Sequence, residues 1–131
     1  MNKHTHSTAR WTPALRKLKA ICIRQPWAWL IVSGYKDIEN RKWATNVRGP
    51  ILIHAGLTRP SSDELEHFLD VWPEAMLDYG GVIGVVNIAD CVTKHRSKWF
   101  RGRGFGWVLA KPRYLSFKKC PGKLKFFDPA F

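Results

Sequence analysis

The longest apolar run in the chain, Val82-Ile-Gly-Val-Val-Asn-Ile-Ala-Asp-Cys-Val92, follows the glycine pair Gly80-Gly81. It is far shorter than the roughly 20 residues of a membrane span. The run therefore predicts a central strand, with Gly84 permitting a close approach or a bend. A chain of 131 residues supports one core and not two. Other patterned segments supply neighbours for that strand. Leu18 to Ile23 alternates as a strand, and Arg48-Gly49-Pro50 turns into a short apolar strand over Ile51 to Ala55. Phe105 to Ala110 and Tyr114 to Phe117 read as two strands joined by Lys111-Pro-Arg113, and Lys123 to Phe127 as a final strand or tail.

Two short helices complete an α+β pattern. Gln25-Pro26 opens the first, with proline at the first helical position where its missing N–H costs nothing, and Gly34 closes it. Over Pro26 to Ser33 the residues Trp27, Leu30 and Ile31 share a core-facing stripe, which leaves Trp29 off that face and exposed. Ser61 followed by Glu64 makes a capping box. It starts an acidic helix through Trp72, stopped by Pro73, with Leu65, Phe68, Leu69 and Trp72 as its buried stripe.

Between the first helix and the next strand lies Gly34-Tyr-Lys-Asp-Ile-Glu-Asn-Arg41, in which Lys36, Glu39 and Arg41 make a polar site. In an extended segment Glu39 and Arg41 fall on one face, and Lys36 leans toward them from the entering turn. Such a trio can hold an ionised lysine against a carboxylate and leave Arg41 for a phosphate or a base edge. The same spacing also suits an ordinary ion-pair ladder on a surface strand. Arg24 and Gln25 border the same opening.

Charge is segregated along the chain, whose formal net charge is +12. Up to Arg59 there are eleven Lys/Arg against Asp37 and Glu39, from Pro60 to Thr93 seven acids and no Lys/Arg, and from Lys94 onward eleven Lys/Arg against Asp128. A two-faced molecule follows, whose basic surface would attract a polyanion. Within Thr93 to Gly104 five Lys/Arg, among them Arg96, Arg101 and Arg103, surround the adjacent Trp99 and Phe100, the chemistry of a stacking platform in a positive field. A basic loop with its aromatics tucked under the core is the alternative. His54, at a strand end, is either a partly buried histidine bonded to backbone or a donor at the cleft rim near Lys36.

Three cysteines, Cys22, Cys91 and Cys120, leave one unpaired and form no Cys-x-x-Cys. That argues for a reducing, cytoplasmic setting with no zinc site, and Cys22 and Cys91 read as small buried hydrophobes. Residues 1–17 are basic and lack the apolar core of a secretory signal. They are expected to be flexible, with Trp11 as an anchor and residues 18–131 as the single domain. His4 and His6 in that segment are not taken as ligands, and neither a metal nor a cofactor is expected.

The run Ile23-Arg-Gln-Pro-Trp-Ala, the Gly34-x-Lys36-x-x-Glu39-x-Arg41 signature, Gly49-Pro-Ile-Leu-Ile-His-Ala55 and Gly84-Val-Val-Asn-Ile-Ala-Asp90 together resemble the ASCH domain family. Gly106-Trp-Val-Leu-Ala-Lys-Pro-Arg113 and Gly122-x-Leu-x-Phe-Phe127 fit the same family, so the likeness covers residues 18 to 129. The resemblance implies a PUA-like mixed β-barrel flanked by short helices, with a cleft that engages RNA or modified nucleosides. Some small members resembling this domain hydrolyse N4-acetylcytidine with a lysine, a threonine three residues later and a distal glutamate.

Two functions compete on these residues. As an RNA or nucleotide-binding module, the chain would use Arg24, Lys36, Arg41 and Arg48 on phosphates or base edges. Glu39 would accept from an exocyclic amine or order Lys36, and Trp99 and Phe100 would stack a base. RNA is the favoured partner, with single-stranded DNA or a modified nucleoside as other ligands, no membrane, and the oligomeric state left open. As an amidohydrolase on acylated cytidine, it would use Lys36 and Glu39 catalytically. Glu39 stands where that pattern has threonine, and no acid occurs between Asp90 and Asp128 to serve as the distal glutamate. A nuclease would have Lys36, His54 and Glu39 as its acid–base set. Binding is the preferred reading.

Overall fold

A computed structural model of the chain describes residues 8–68 and 77–131. Its elements are β1 (Thr8–Ala9), α1 (Pro13–Arg16), β2 (Ala20–Ile23), α2 (Trp27–Val32), β3 (Ile38–Arg41), β4 (Gly49–Ala55), α3 (Ser62–Phe68), β5 (Gly81–Val92) and β6 (Phe105–Lys119). They form one mixed sheet in the order β1-β6-β5-β4-β2, with β3 pairing antiparallel to the first part of β6. The β1–β6 and β2–β4 pairs are parallel, and β4–β5 and β5–β6 are antiparallel.

The expected central strand is β5, and its unbroken apolar character has a cause: both faces are covered. Ile83, Val86 and Ile88 join Ile51, Ile53, Ile31 and Trp107 in one core. Val82 and Val85 face the other way, toward Leu52, Leu115 and Phe127. Helix α2 lies across β5, β4 and β6. Gly84 allows that approach, because a Cβ there would sit 2.5 Å from Cγ1 of Val32 and 2.6 Å from the Arg113 carbonyl.

Several expectations change. Phe105 to Lys119 is one strand and not two, because the Lys111-Pro-Arg113 segment is absorbed as a bulge. Val85 pairs with Arg113 and Asn87 with Ala110, so Lys111 and Pro112 stand opposite Val86 alone. Lys111 takes a left-handed φ of 53° there, and Pro112 has no N–H to lose. Lys123 to Phe127 is a tail in which only Phe127 bridges to Ala20.

The amino-terminal segment, expected to be flexible through residue 17, is built into the fold from Thr8 onward. Thr8 and Ala9 pair with Tyr114 and Leu115, Thr12 caps α1, and Trp11 Nε1 donates to the Ser116 carbonyl at 2.8 Å. Trp11 also packs edge-on against Phe131, so its expected anchoring role holds. His4 and His6 lie outside the described residues, as do Leu69 to Pro73 and the side chain of Phe68. The capping box of α3 is formed: the Ser61 N–H reaches Glu64 Oε1 at 2.8 Å, and the Glu64 N–H reaches Ser61 Oγ at 3.2 Å.

Helix α2 corrects the assignment of one of its two tryptophans, since Trp27 does pack against the core, as its stripe predicts. Trp29 is buried and stacks on Tyr35, whereas Trp27 is only half-buried. The helical period identifies a single stripe, yet Ala28 to Val32 are all buried because the sheet covers one side and the Tyr35 and Leu77 region the other. Pro26 is the residue before the first turn and follows a cis peptide bond.

Candidate functional site

The turn after α2 and the strand β3 place three charges together. Gly34, at φ 88°, reverses the chain, and the Lys36 N–H is tied to the Leu30 carbonyl at 2.9 Å. The Lys36 side chain is 5% exposed, so its ammonium needs partners to offset lost hydration. Nζ donates to the Ile38 carbonyl and, at 3.2 Å, to Glu39 Oε1. Glu39 Oε2 accepts from Arg41 Nε at 2.9 Å, and Arg41 Nη2 also reaches the Cys22 carbonyl at 3.2 Å. One carboxylate thus bridges two cations, as the period-two spacing of the strand predicts. Burial pulls the Lys36 amine below its ordinary value of 10.5, Glu39 opposes that shift, and the fields of Arg101 and Arg41 add to it. Arg41 is less free than expected, since two of its donor groups are already committed.

This triad forms the floor of a cleft of about 610 Å³. Arg24 and Trp27 border it from the β2–α2 corner, and Asn40, Lys98, Trp99 and Arg101 from the opposite side. The basic loop is held against β3 by Asn40, whose Nδ2 donates to the Trp99 carbonyl at 2.9 Å and whose Oδ1 accepts from the Arg101 N–H at 3.0 Å. Trp99 Nε1 donates to the Tyr35 carbonyl at 2.9 Å, and Ser97 Oγ donates to Asp37. These bonds fix the indole at the cleft wall. Arg24 sits over the Trp27 ring at 5.2 Å while making a two-point ion pair with Glu64 at 2.9 and 2.7 Å. Lys98 lies over Trp99 at 5.4 Å. Among the described residues, five cations and a single carboxylate line the cleft.

The structure brings together Arg24, Lys36, Glu39, Arg41, Trp99 and Arg101, and sets the other candidate residues elsewhere. Gln25 is wholly buried and committed to backbone: Oε1 accepts from the Trp29 N–H and Nε2 donates to the Asp78 carbonyl, both at 2.9 Å. It caps α2 and cannot meet a ligand. His54 is buried away from Lys36, with Nε2 donating to the Cys120 carbonyl at 2.7 Å and Nδ1 without a partner among the described residues. The backbone-bonded alternative holds for it. Arg48 faces Asp90 at 3.7 Å on another surface, and Arg96 and Arg103 are exposed outside the cleft. Phe100 packs beneath Gly106, where a Cβ would come within 2.9 Å of its ring, so the tucked-aromatic alternative applies to it. Cys22 and Cys91 are half-buried, and Cys22 lines the cleft.

Sequence reasoning missed Trp27 and Asn40 as lining residues, and took Lys98 only as one of the five Lys/Arg of the basic loop. Asn40 carried a signal, as an amide between two charged positions of a strand. Lys98 sits in the basic loop beside Trp99.

The ASCH domain model matches residues 21–119. The chain belongs to the ASCH domain family. The ASCH match spans β2 through β6 and so contains the whole cleft. Among curated proteins, this ASCH chain is 32% identical over 87 residues to human Activating signal cointegrator 1, and 34% identical over 83 residues to its mouse counterpart. Those alignments cover 60% and 56% of the chain but only 15% and 14% of the relatives. Among solved structures, a serine-to-alanine mutant of the ASCH protein from Zymomonas mobilis superposes with a TM-score of 0.50 at 20% identity. That superposition covers 80% of this chain and 75% of the other, and supports the α+β, PUA-like fold. Among the described residues no helix is long and apolar enough to cross a membrane.

Proposed function

We propose that this ASCH domain binds RNA or a nucleotide, with one base in the cleft above the Lys36–Glu39–Arg41 triad. The supporting observation is the pairing of a buried, hydrogen-bonded charge cluster with two half-buried indoles, Trp27 and Trp99, at the walls of the same cavity. Every base offers a π-face to a tryptophan and an edge that donates and accepts. Lys36 has one N–H beyond the two already used, which suits a base carbonyl, and Glu39 has lone pairs left for an exocyclic amine. Lys98 and Arg101, both exposed at the rim, would meet backbone phosphates. Because the triad is desolvated and ordered on folding, binding does not have to order it again.

A second reading is favoured by one observation, the lowered Lys36 amine beside a carboxylate. Such a lysine suits a base in amide hydrolysis. The nuclease set fares worse, because His54 lies outside the cleft. Titration of tryptophan fluorescence with a single-stranded RNA oligonucleotide across salt, with a parallel assay for released acetate or cleaved strand, tests the proposal. For about six phosphate contacts affinity should fall roughly 10³-fold between 50 and 200 mM salt. Replacing Lys98 and Arg101 with glutamate should weaken binding and flatten that slope. An affinity indifferent to salt would remove the binding reading, and multiple turnovers of N4-acetylcytidine lost in Lys36→Ala would replace it with the hydrolase.

A further inference from the structure

A second and larger cavity, about 1110 Å³, shares Cys22 and Arg41 with the first in its lining. The Arg41 guanidinium meets a lining residue of each, Glu39 in the first and Trp43 in the second. The second cavity differs in character from the first. Its cations are Arg41, Lys119, Lys123 and Lys125, and no carboxylate lines it among the described residues. Its apolar surface includes Trp43, Leu57 and Leu124, which are 38%, 78% and 93% exposed. The Arg41 guanidinium lies over the Trp43 ring at 5.5 Å, so an aromatic surface begins directly beneath the shared cation.

Exposed leucines and an indole amid lysines, without a balancing acid, match a ligand that is itself planar, apolar and anionic. Single-stranded nucleic acid alternates those two characters, base and phosphate, along its length. We infer that the second cavity receives the next nucleotide of the strand whose first base occupies the triad cleft, with the connecting phosphate over Arg41 and the following base against Trp43 and Leu124. The inference rests on the proposed binding function and extends it. The ligand is a single strand with at least two successive unpaired nucleotides, in place of a free nucleoside or a duplex. Arg41 then contributes through its field and its remaining N–H groups, since Glu39 and the Cys22 carbonyl hold Nε and Nη2.

The test is calorimetric titration of the full chain with uridine monophosphate, the dinucleotide UpU and the trinucleotide UpUpU, each in ribose and deoxyribose form. Stacking of a second base should make the dinucleotide bind about tenfold or more tightly than the mononucleotide. Trp43→Ala should remove that gain and leave the mononucleotide affinity unchanged. Trp43 also packs edge-on against Trp107, so Leu124→Glu, at a nearly fully exposed position, serves as the second variant and should remove the gain without altering the melting temperature. Equal affinity for mononucleotide and dinucleotide, or a gain that survives both substitutions, would overturn the inference while leaving the first-cleft reading intact. Failure of even the trinucleotide to bind would overturn both. Equal gains for ribose and deoxyribose would support the two-nucleotide site and assign it to single strands of either kind.

Discussion

Glu39→Gln keeps the shape of the triad and removes the one negative charge between two cations. Lys36, Glu39 and Arg41 have side chains only 5%, 12% and 19% exposed, so water screens this change poorly. At the 3.2 Å separation of Lys36 and Glu39, an effective dielectric near 20 gives an attraction of about 5 kcal/mol. Lysine can escape part of that loss by releasing its proton. For an ordinary amine the escape at pH 7 costs about 1.4 kcal/mol per unit between its pKa and 7. Lys36 is already lowered by burial, so its escape is less costly and limits the damage. We expect a loss of about 3 kcal/mol at pH 7, at the lower end of the range for breaking a buried pair.

The sign of the pH dependence follows from the same shift. A lysine with a depressed folded pKa binds fewer protons in the folded than in the unfolded state, so stability rises with pH up to the unfolded value of 10.5. Without Glu39 the folded pKa drops further. The deficit of Glu39→Gln relative to wild type should therefore be largest at lower pH and shrink as both folded lysines become neutral. Urea denaturation followed by tryptophan fluorescence, at about pH 7 and about pH 9.5, measures both quantities. A loss below about 1 kcal/mol, typical of an exposed ion pair, or a deficit constant across pH, would refute the buried-triad account.

Trp99 and Phe100 should separate cleanly although they are adjacent. Trp99→Ala should cost about 1 to 3 kcal/mol of oligonucleotide affinity, while Phe100→Ala, which empties the space beneath Gly106, should cost about 3 kcal/mol of stability in denaturant melts, the low end for a phenylalanine because the ring is half-buried, and leave affinity unchanged. Gly84→Ala should destabilise by about 3 kcal/mol or abolish folding, because its methyl meets both Val32 and the Arg113 carbonyl; a soluble variant with wild-type melting temperature would show that α2 can shift on the sheet.

The triad was legible in the sequence because its cause is local: a strand repeats every two residues, and one turn brings Lys36 alongside. The central strand was legible because continuous Val and Ile demand cover on both faces. Trp29 reads as exposed because helical periodicity assumes one wet side, and α2 is covered on the second side by Leu77, a residue distant in sequence. Gln25 and His54 look like site residues in a string of letters, yet each finds a backbone partner far along the chain, at Asp78 and Cys120. The proline at 112 reads as a strand break, and a two-for-one bulge opposite Val86 makes it compatible with pairing. Asn40 was overlooked because its work depends on where the basic loop comes to rest.

The central claim is that nucleic acid enters the cleft between Trp27 and Trp99 above the buried triad. Amide and indole chemical-shift mapping of the full chain, titrated with a short single-stranded RNA, tests it most directly. The account predicts that the largest shifts fall at Trp27, Lys36, Asn40, Trp99 and Arg101, with little change at Trp11, which lies against the other end of β6. Shifts confined to Arg96, Arg103 and the exposed lysines of the tail, with Trp27 and Lys36 unmoved, would contradict it.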